Sequence, residues 1–402
     1  MKTVENKLLI ILALLIIPFS VESQDLNSLN RDALNELKEE VIATNSDAFL
    51  LMKDDSLLVE WYSDGPQKIE LMSGLKSVVA LGVGRLLYQQ KIDSLDQPVH
   101  SYFPEWKQGR KKDITIRHLL NHTSGLQNVS NAGVEIYPSP NALQLALTAE
   151  LTSDPGAEFS YNNKAVNLLA GIFQKATGKR MDHYFRDEFF RPLHITDYKW
   201  YLDKSETPHA MAGLELSARD FAKFGQLVLH KGIWNDNQLV SEDYINEMLE
   251  QGQTYYPLSG LLWWRMPEYV HYNLTKERIE DFIKAGIDSS ILNKLEPLQE
   301  SSINGIDSYR QTMQKVFGSD WREIRDKNFR QNGFENIFKK EYGPIAGYYA
   351  EGYLGQYLVV IPGANLVAVR QIQRKESYNS ETDNFQHFRY RVLNLVFDNA
   401  SQ

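Results

Sequence analysis

One stretch constrains the fold more than any other: Leu71–Leu87, LMSGLKSVVALGVGRLL. Val78, Val79, Leu81, Val83, Leu86 and Leu87 cover every face of a helix, so the segment belongs in an interior and demands partners on all sides. A polar pair heads it. Ser73 stands at the first turn, where free backbone N–H groups and the helix dipole favour developing negative charge. Lys76 follows three residues later on the same side of the helix. Burying a lysine strips its hydration, which is costly unless a neighbour holds it, and a desolvated amine of lowered pKa can accept a serine proton. The pair has two readings: a capping serine beside a snorkelling lysine, or a nucleophile beside its base.

Strand-forming sequence lies at both ends of the chain. After an amphipathic, helix-forming segment at about Leu26–Ile42, Phe49–Met52 and Leu57–Tyr62 flank a Lys-Asp-Asp-Ser turn, the pattern of a hairpin. GQYLVVIPGANLVAVRQI repeats that pattern with Pro362-Gly363-Ala364-Asn365 as its turn. Between them Ser73–Gln90, Ile116–Asn121, Ala142–Leu147, Asn163–Thr177 and Ala218–His230 read as helices, with Gly178 as a helix stop. The expected fold is α/β (α+β): an antiparallel sheet from both chain ends, flanked by helices, with a mostly helical region between its halves. A cleft then forms where sheet and helical region meet. The segment at about 267–343 turns highly charged and reads as a helical insertion, either a solvated decoration or a lid over the cleft.

With 402 residues and 43% hydrophobic content the chain can bury a sizeable core. Its formal charge of −9 comes without a basic block, which argues against nucleic acid as a partner. No cysteine is present, which removes disulfides, thiolate metal sites and cysteine nucleophiles. At the amino terminus, MKTVENKLLIILALLIIPFSVESQ places Lys2 and Lys7 before an apolar run from Leu8 to Phe19. That run is short for a bilayer span and suits a secretory signal at 1–23, cleaved after Ser23; a retained anchor is the alternative. No second run of spanning length follows, so the expectation is a periplasmic or secreted protein at 24–402.

Other candidates carry less. His118 and His122 have the i,i+4 spacing of metal ligands but lack the HExxH glutamate and a third ligand, so no metal or other cofactor is expected. Asn235-Asp236-Asn237 reads as a turn. Of Trp263 and Trp264 only one can face the cleft, and at least one of Tyr348, Tyr349 and Tyr353 is expected to wall it.

Four further stretches bear on the Ser-Lys pair. Tyr161-Asn162-Asn163 precedes a helix, ITIRHLLNHTSGL spans Ile114–Leu126, LSARDFAKFGQLVLHKGIWNDNQLVS spans Leu216–Ser241, and GYLGQYLVVIPGANLVAVR lies near the end. Together they resemble the class C β-lactamase and penicillin-binding serine hydrolase superfamily over about 44–266 and 344–398. The resemblance implies a β-lactamase/transpeptidase-like fold with Ser73 as the acylated nucleophile and Lys76 and Tyr161 sharing general-base and general-acid duty. It further implies that Asn163 hydrogen-bonds Lys76 or a substrate amide. Backbone N–H groups of Ser73 and Tyr353 would form the oxyanion hole, with Gly352 allowing close approach of a ligand to the strand.

The third family motif departs from the pattern. Where Lys-Thr-Gly or His-x-Gly is usual, this chain has Ala350-Glu351-Gly352, so the cation is gone and a carboxylate is its neighbour. That argues against efficient penicillin turnover and points to the esterase and amidase branch, including 6-aminohexanoate-oligomer hydrolases. The substrate expected is a small-molecule or peptide-like ester or amide. A peptidoglycan D,D-peptidase or β-lactamase is the alternative, and a sensor or binding module that is acylated without turnover is a third reading.

Overall fold

The computed structural model describes residues 29–397, so the apolar run read as an export signal lies outside the described residues. Strands β1 (Ala48–Lys53) and β2 (Ser56–Tyr62) form the first hairpin. Asp54 and Asp55 both have positive φ, the geometry of a two-residue turn whose twist matches its strands. Strands β3 (Trp264–Pro267), β4 (Ile345–Gly352), β5 (Gln356–Ile361) and β6 (Leu366–Gln371) complete a six-stranded sheet in the order β2-β1-β6-β5-β4-β3. All its pairings are antiparallel. Chain start and chain end meet in its middle, where Ala48–Lys53 pair with Leu366–Gln371. The two hairpin turns also dock on each other: the Asp54 N–H donates to the Asn365 carbonyl at 2.9 Å, and the Asn365 side-chain amide to Asp54 at 3.0 Å.

Alternation along the strands gives the sheet two apolar faces. Helices α1 (Arg31–Ala43) and α5 (Phe388–Leu393) cover one, through Leu37, Val41, Phe388 and Val392 against Phe49, Tyr357 and Val359. The other face meets the helical region, through Leu50, Leu358, Val360, Val367 and Val369. This region contains α2 (Leu75–Tyr88), α3 (Asn163–Thr177) and α4 (Ala218–Leu229). Helix α3 starts on Asn162, whose side chain accepts from the Ala165 N–H, and stops at Gly178 in the left-handed region.

Helix α2 is enclosed on all sides, as its composition requires, and its glycines permit it. A Cβ on Gly82 would lie 2.3 Å from the Phe185 ring, and one on Gly84 2.3 Å from Tyr244. Polar atoms of the helix find partners in the interior: Ser77 donates to the Leu262 carbonyl at 2.6 Å, and Tyr244 donates to the Ala80 carbonyl at 2.7 Å.

The charged segment departs from the helical expectation. It carries helices at Lys276–Lys284, Ser289–Leu295, Ile306–Phe317 and Trp321–Asn328, and also a three-stranded antiparallel sheet of Val270–Leu274, Ser301–Asn304 and Lys339–Tyr342. Tyr272, Phe282, Leu295, Met313, Phe329 and Phe338 give it a core of its own. Among the described residues no helix is long and apolar enough to cross a membrane.

The fit around α2 generates a stability test. Replacing an interior helical glycine by alanine gains about 1 kcal/mol of helix propensity, but overpacking a filled core costs about 1–3 kcal/mol. With Phe185 at 2.3 Å the clash wins. Gly82→Ala is expected to lower the urea midpoint of unfolding with an unchanged m-value.

Candidate active site

The nucleophile candidate is presented by a strained turn. Met72–Gly74 form a single 3₁₀ turn that runs directly into α2, and Met72 takes φ +49, a conformation a side-chain-bearing residue avoids unless its surroundings impose it. Two contacts do so. The Leu71 N–H donates to the Leu214 carbonyl at 2.9 Å, and strand β4 lies against the turn at Gly352. A Cβ on Gly352 would meet the Leu71 carbonyl oxygen at 2.2 Å and Met72 Cβ at 3.0 Å. The glycine thus also serves the approach of β4 to the backbone leading into Ser73, a second demand beside the ligand approach expected of it. The same approach brings the backbone of Ser73 and that of Tyr353, the residue after β4, onto adjoining segments.

Lys76 is buried, and its ammonium position is fixed by two acceptors: Ser73 Oγ at 2.9 Å and the Met211 carbonyl at 2.8 Å. Its Nζ also lies 5.0 Å from the centre of the Tyr161 ring. Burial pushes the amine down to about 7. Tyr161 goes the other way. Burial raises its phenol to about 12, opposed by a hydrogen bond with Ser73 and reinforced by the negative charge of Glu351. Ser73 is thereby bracketed by an amine that can lose its proton near neutrality and a phenol that keeps its own. The arrangement can take a proton from Ser73 and deliver one to a leaving group.

A second set of contacts holds Tyr161. The buried His122 ring lies 4.5 Å from the Tyr161 ring, and Trp264 stacks on that ring at 6.2 Å. His122 Nδ1 accepts from the Asn162 N–H at 3.1 Å, while Asn128 donates to the Tyr161 carbonyl at 2.8 Å. Burial and the charge of Lys76 push His122 down to about 3, so the ring stays neutral. His118 is engaged elsewhere, in a capping box with Thr115.

Asn163 is placed beside the site, and of the two partners expected for it, Lys76 or a substrate amide, Lys76 is not the one bonded here. Lys76 spends its hydrogen bonds on Ser73 and Met211, and the buried Asn163 Oδ1 has no partner among the described residues. With Ser73, Tyr161 and Tyr353 it lines a cavity of about 830 Å³. Tyr353 is thus one cavity wall, 64% exposed, whereas Tyr349 is buried in the sheet. Trp263 is fully buried and donates to the Ser77 carbonyl at 3.0 Å, leaving Trp264 to the cleft.

Glu351, next to Ala350 where the cation is lost, faces two ways. It lines a small cavity of about 10 Å³ with Ser73, Lys76 and Tyr161, and its carboxylate lies 3.7 Å from Arg389 of α5. Burial raises its pKa and Arg389 opposes that shift. Glu351 and Trp264 are shared with a further cavity of about 280 Å³, to which the charged insertion contributes Ile306 and Arg310. The insertion therefore walls one end of the cleft.

Two contributors escaped the sequence reading. The Met211 carbonyl is a backbone atom, and no side-chain pattern announces it. Arg370 in β6 is completely buried and bonds the Leu354 and Gly355 carbonyls at 3.1 and 2.7 Å, as well as those of Thr44 and Asp383 and the hydroxyl of Ser46. It fixes the turn that follows Tyr353. An arginine interrupting an otherwise apolar strand was the available signal.

Residues 46–264 match the family described as Beta-lactamase. Protein flp of Staphylococcus aureus (strain MRSA252) is 28% identical over 156 residues, 37% of this chain and 31% of that protein. A 6-aminohexanoate-dimer hydrolase of Paenarthrobacter ureafaciens is 26% identical over 239 residues, 54% of this chain and 61% of that protein. The chain thus spans less than two thirds of either relative. Among solved structures, a penicillin-binding protein homologue from Caulobacter crescentus shares the fold with a TM-score of 0.60 at 16% identity, over 94% of this chain and 98% of that one.

The position of Lys76 sets a pH dependence for any reaction of Ser73. Because the amine must be neutral to accept the serine proton, kcat/KM is expected to fall about tenfold per pH unit below about 7 and to level off above it. Lys76→Arg, which keeps its proton throughout, is expected to lose roughly 10²–10⁴ in rate at every pH. A flat profile between pH 5 and 8 would contradict the role.

Proposed function

The chain belongs to the beta-lactamase family of hydrolases, and from that premise we propose that it is a serine hydrolase working through an acyl-enzyme on an ester or amide. The observation that carries the proposal is the 2.9 Å bond between Ser73 Oγ and an interior amine whose pKa is lowered to about 7. Neutral Lys76 takes the Ser73 proton as Oγ bonds to the substrate carbonyl carbon. The carbonyl oxygen becomes an oxyanion, received by the Ser73 and Tyr353 N–H groups. As the intermediate collapses, the bond to the alcohol or amine breaks and the leaving group receives the Tyr161 proton, which Lys76 replaces. Water then adds to the acyl carbon, its proton passing to the same pair, and the acid departs while Ser73 is re-formed.

The substrate reading follows from the third motif. Ala350 supplies no cation and the adjoining Glu351 is a carboxylate already partnered by Arg389, so the motif offers no counter-ion to the anionic group of a penicillin. The resemblance to a 6-aminohexanoate-dimer hydrolase supports a small-molecule or peptide-like ester or amide instead. The apolar run before Ser23 supports export to a periplasmic or external space.

A fluorophosphonate probe is expected to label the protein and to leave Ser73→Ala unlabelled, read by gel fluorescence and intact mass. Steady turnover of p-nitrophenyl esters is expected to exceed that of a chromogenic cephalosporin. Equal labelling of the Ser73→Ala variant would sink the nucleophile assignment, and stoichiometric capture of a fluorescent penicillin without ester turnover would favour a penicillin-binding role.

A further inference from the structure

We propose that the acyl group accepted by Ser73 ends in a carboxylate, and that Arg374, at the rim of the cavity beside the nucleophile, reads it. The proposal rests on the serine-hydrolase reading and adds a substrate class to it.

The 830 Å³ cavity that opens on Ser73 and Tyr161 is lined by two cationic side chains, Arg374 and Lys375, and by no aspartate or glutamate. In a chain of formal charge −9 this is a local inversion of sign, of the kind that concentrates anions. The two cations are not equivalent. Lys375 is committed to the buried carboxylate of Asp47 at 2.8 Å. Arg374 is exposed and makes no ion pair among the described residues; Glu70 and Tyr137 feel its charge without bonding to it. Its planar guanidinium, free at a cavity rim, suits bidentate recognition of a carboxylate.

The rest of the lining describes what joins that anion to the reacting carbon. Tyr137, Tyr353 and Tyr378 offer aromatic faces, suited to methylene or aryl groups. Asn163 Oδ1, on a residue only 7% exposed and without a partner, accepts an N–H from an amide in the chain. At the third motif Glu351 is a carboxylate, and Arg389, 3.7 Å away, already has it as a partner. The two ends thus impose a direction: the carboxylate goes toward Arg374 and away from the third motif.

The test compares mono-p-nitrophenyl esters of straight-chain α,ω-dicarboxylic acids, from six to ten carbons, with p-nitrophenyl esters of monocarboxylic acids of matched length. The wild type is expected to prefer the dicarboxylic series at one or more lengths. Arg374→Ala is expected to reduce the ratio of the two kcat/KM values by roughly 2–5-fold, mainly through KM, and Arg374→Glu by more. Arg374→Lys is expected to retain part of the preference, and added salt to weaken it in the wild type. Stoichiometric fluorophosphonate labelling of each variant shows that its site is folded. An equal ratio in wild type and Arg374→Ala, or a wild type that turns over both series alike, overturns this proposal alone. A wild type that is unlabelled and inert toward both series overturns the serine-hydrolase reading together with it.

Discussion

Placing one amine in an apolar interior is the constraint on which the site depends. Lys76 keeps its position because Ser73 Oγ and the Met211 carbonyl accept from it, and because α2 is packed on every side and cannot shift to let water in. Each of these facts serves the others. A helix less completely enclosed would hydrate the amine and restore its ordinary basicity; an enclosed helix with no acceptors would not tolerate it. The polar head of α2 is therefore a consequence of how thoroughly the remainder is buried.

Strand β4 brings the second half of the machinery to that helix, and its position is set from outside the site. Gly352 allows the strand to touch the backbone before Ser73, while Arg370 ties the following turn to Thr44, Ser46 and Asp383. The buried guanidinium is expensive to desolvate, and its five bonded oxygens offset that cost. A charge so placed specifies one geometry for the turn carrying Tyr353, since any displacement leaves several carbonyls unpaired. On the reading proposed above, substrate choice is governed separately, by Glu351 at one end and Arg374 at the other, so one serine would serve different acyl groups when the ends change.

Much of this was legible in the chain. The hairpin turns, the helix starts and stops and the enclosed character of α2 follow from periodicity and turn chemistry, because each is decided by residues close in sequence. The insertion was misread for a physical reason: Lys339-Lys340-Glu341-Tyr342 pairs through its backbone and leaves its first three side chains exposed, so no apolar alternation marks it as a strand. Ser73 and Lys76 stood out as a polar pair heading an apolar helix and Tyr161 through the resemblance of its motif, whereas the Met211 carbonyl has no side-chain type to read. For Asn163 the place beside the cavity was foreseeable, but which of its two expected partners it lacks depends on where Lys76 spends its bonds.

The sheet that joins the two ends of the chain also orders events in time. Strand β1 is made early and β6 near the last, yet they are neighbours, and β4 can take its place against the serine turn only after the insertion has been synthesised. Such long-range pairings form slowly and late. A shortened chain could hold Ser73 and Lys76 in sequence and still present no oxyanion site. On the proposed mechanism, a chain that stops short of β4 carries the serine and its amine without the strand that completes the site around them.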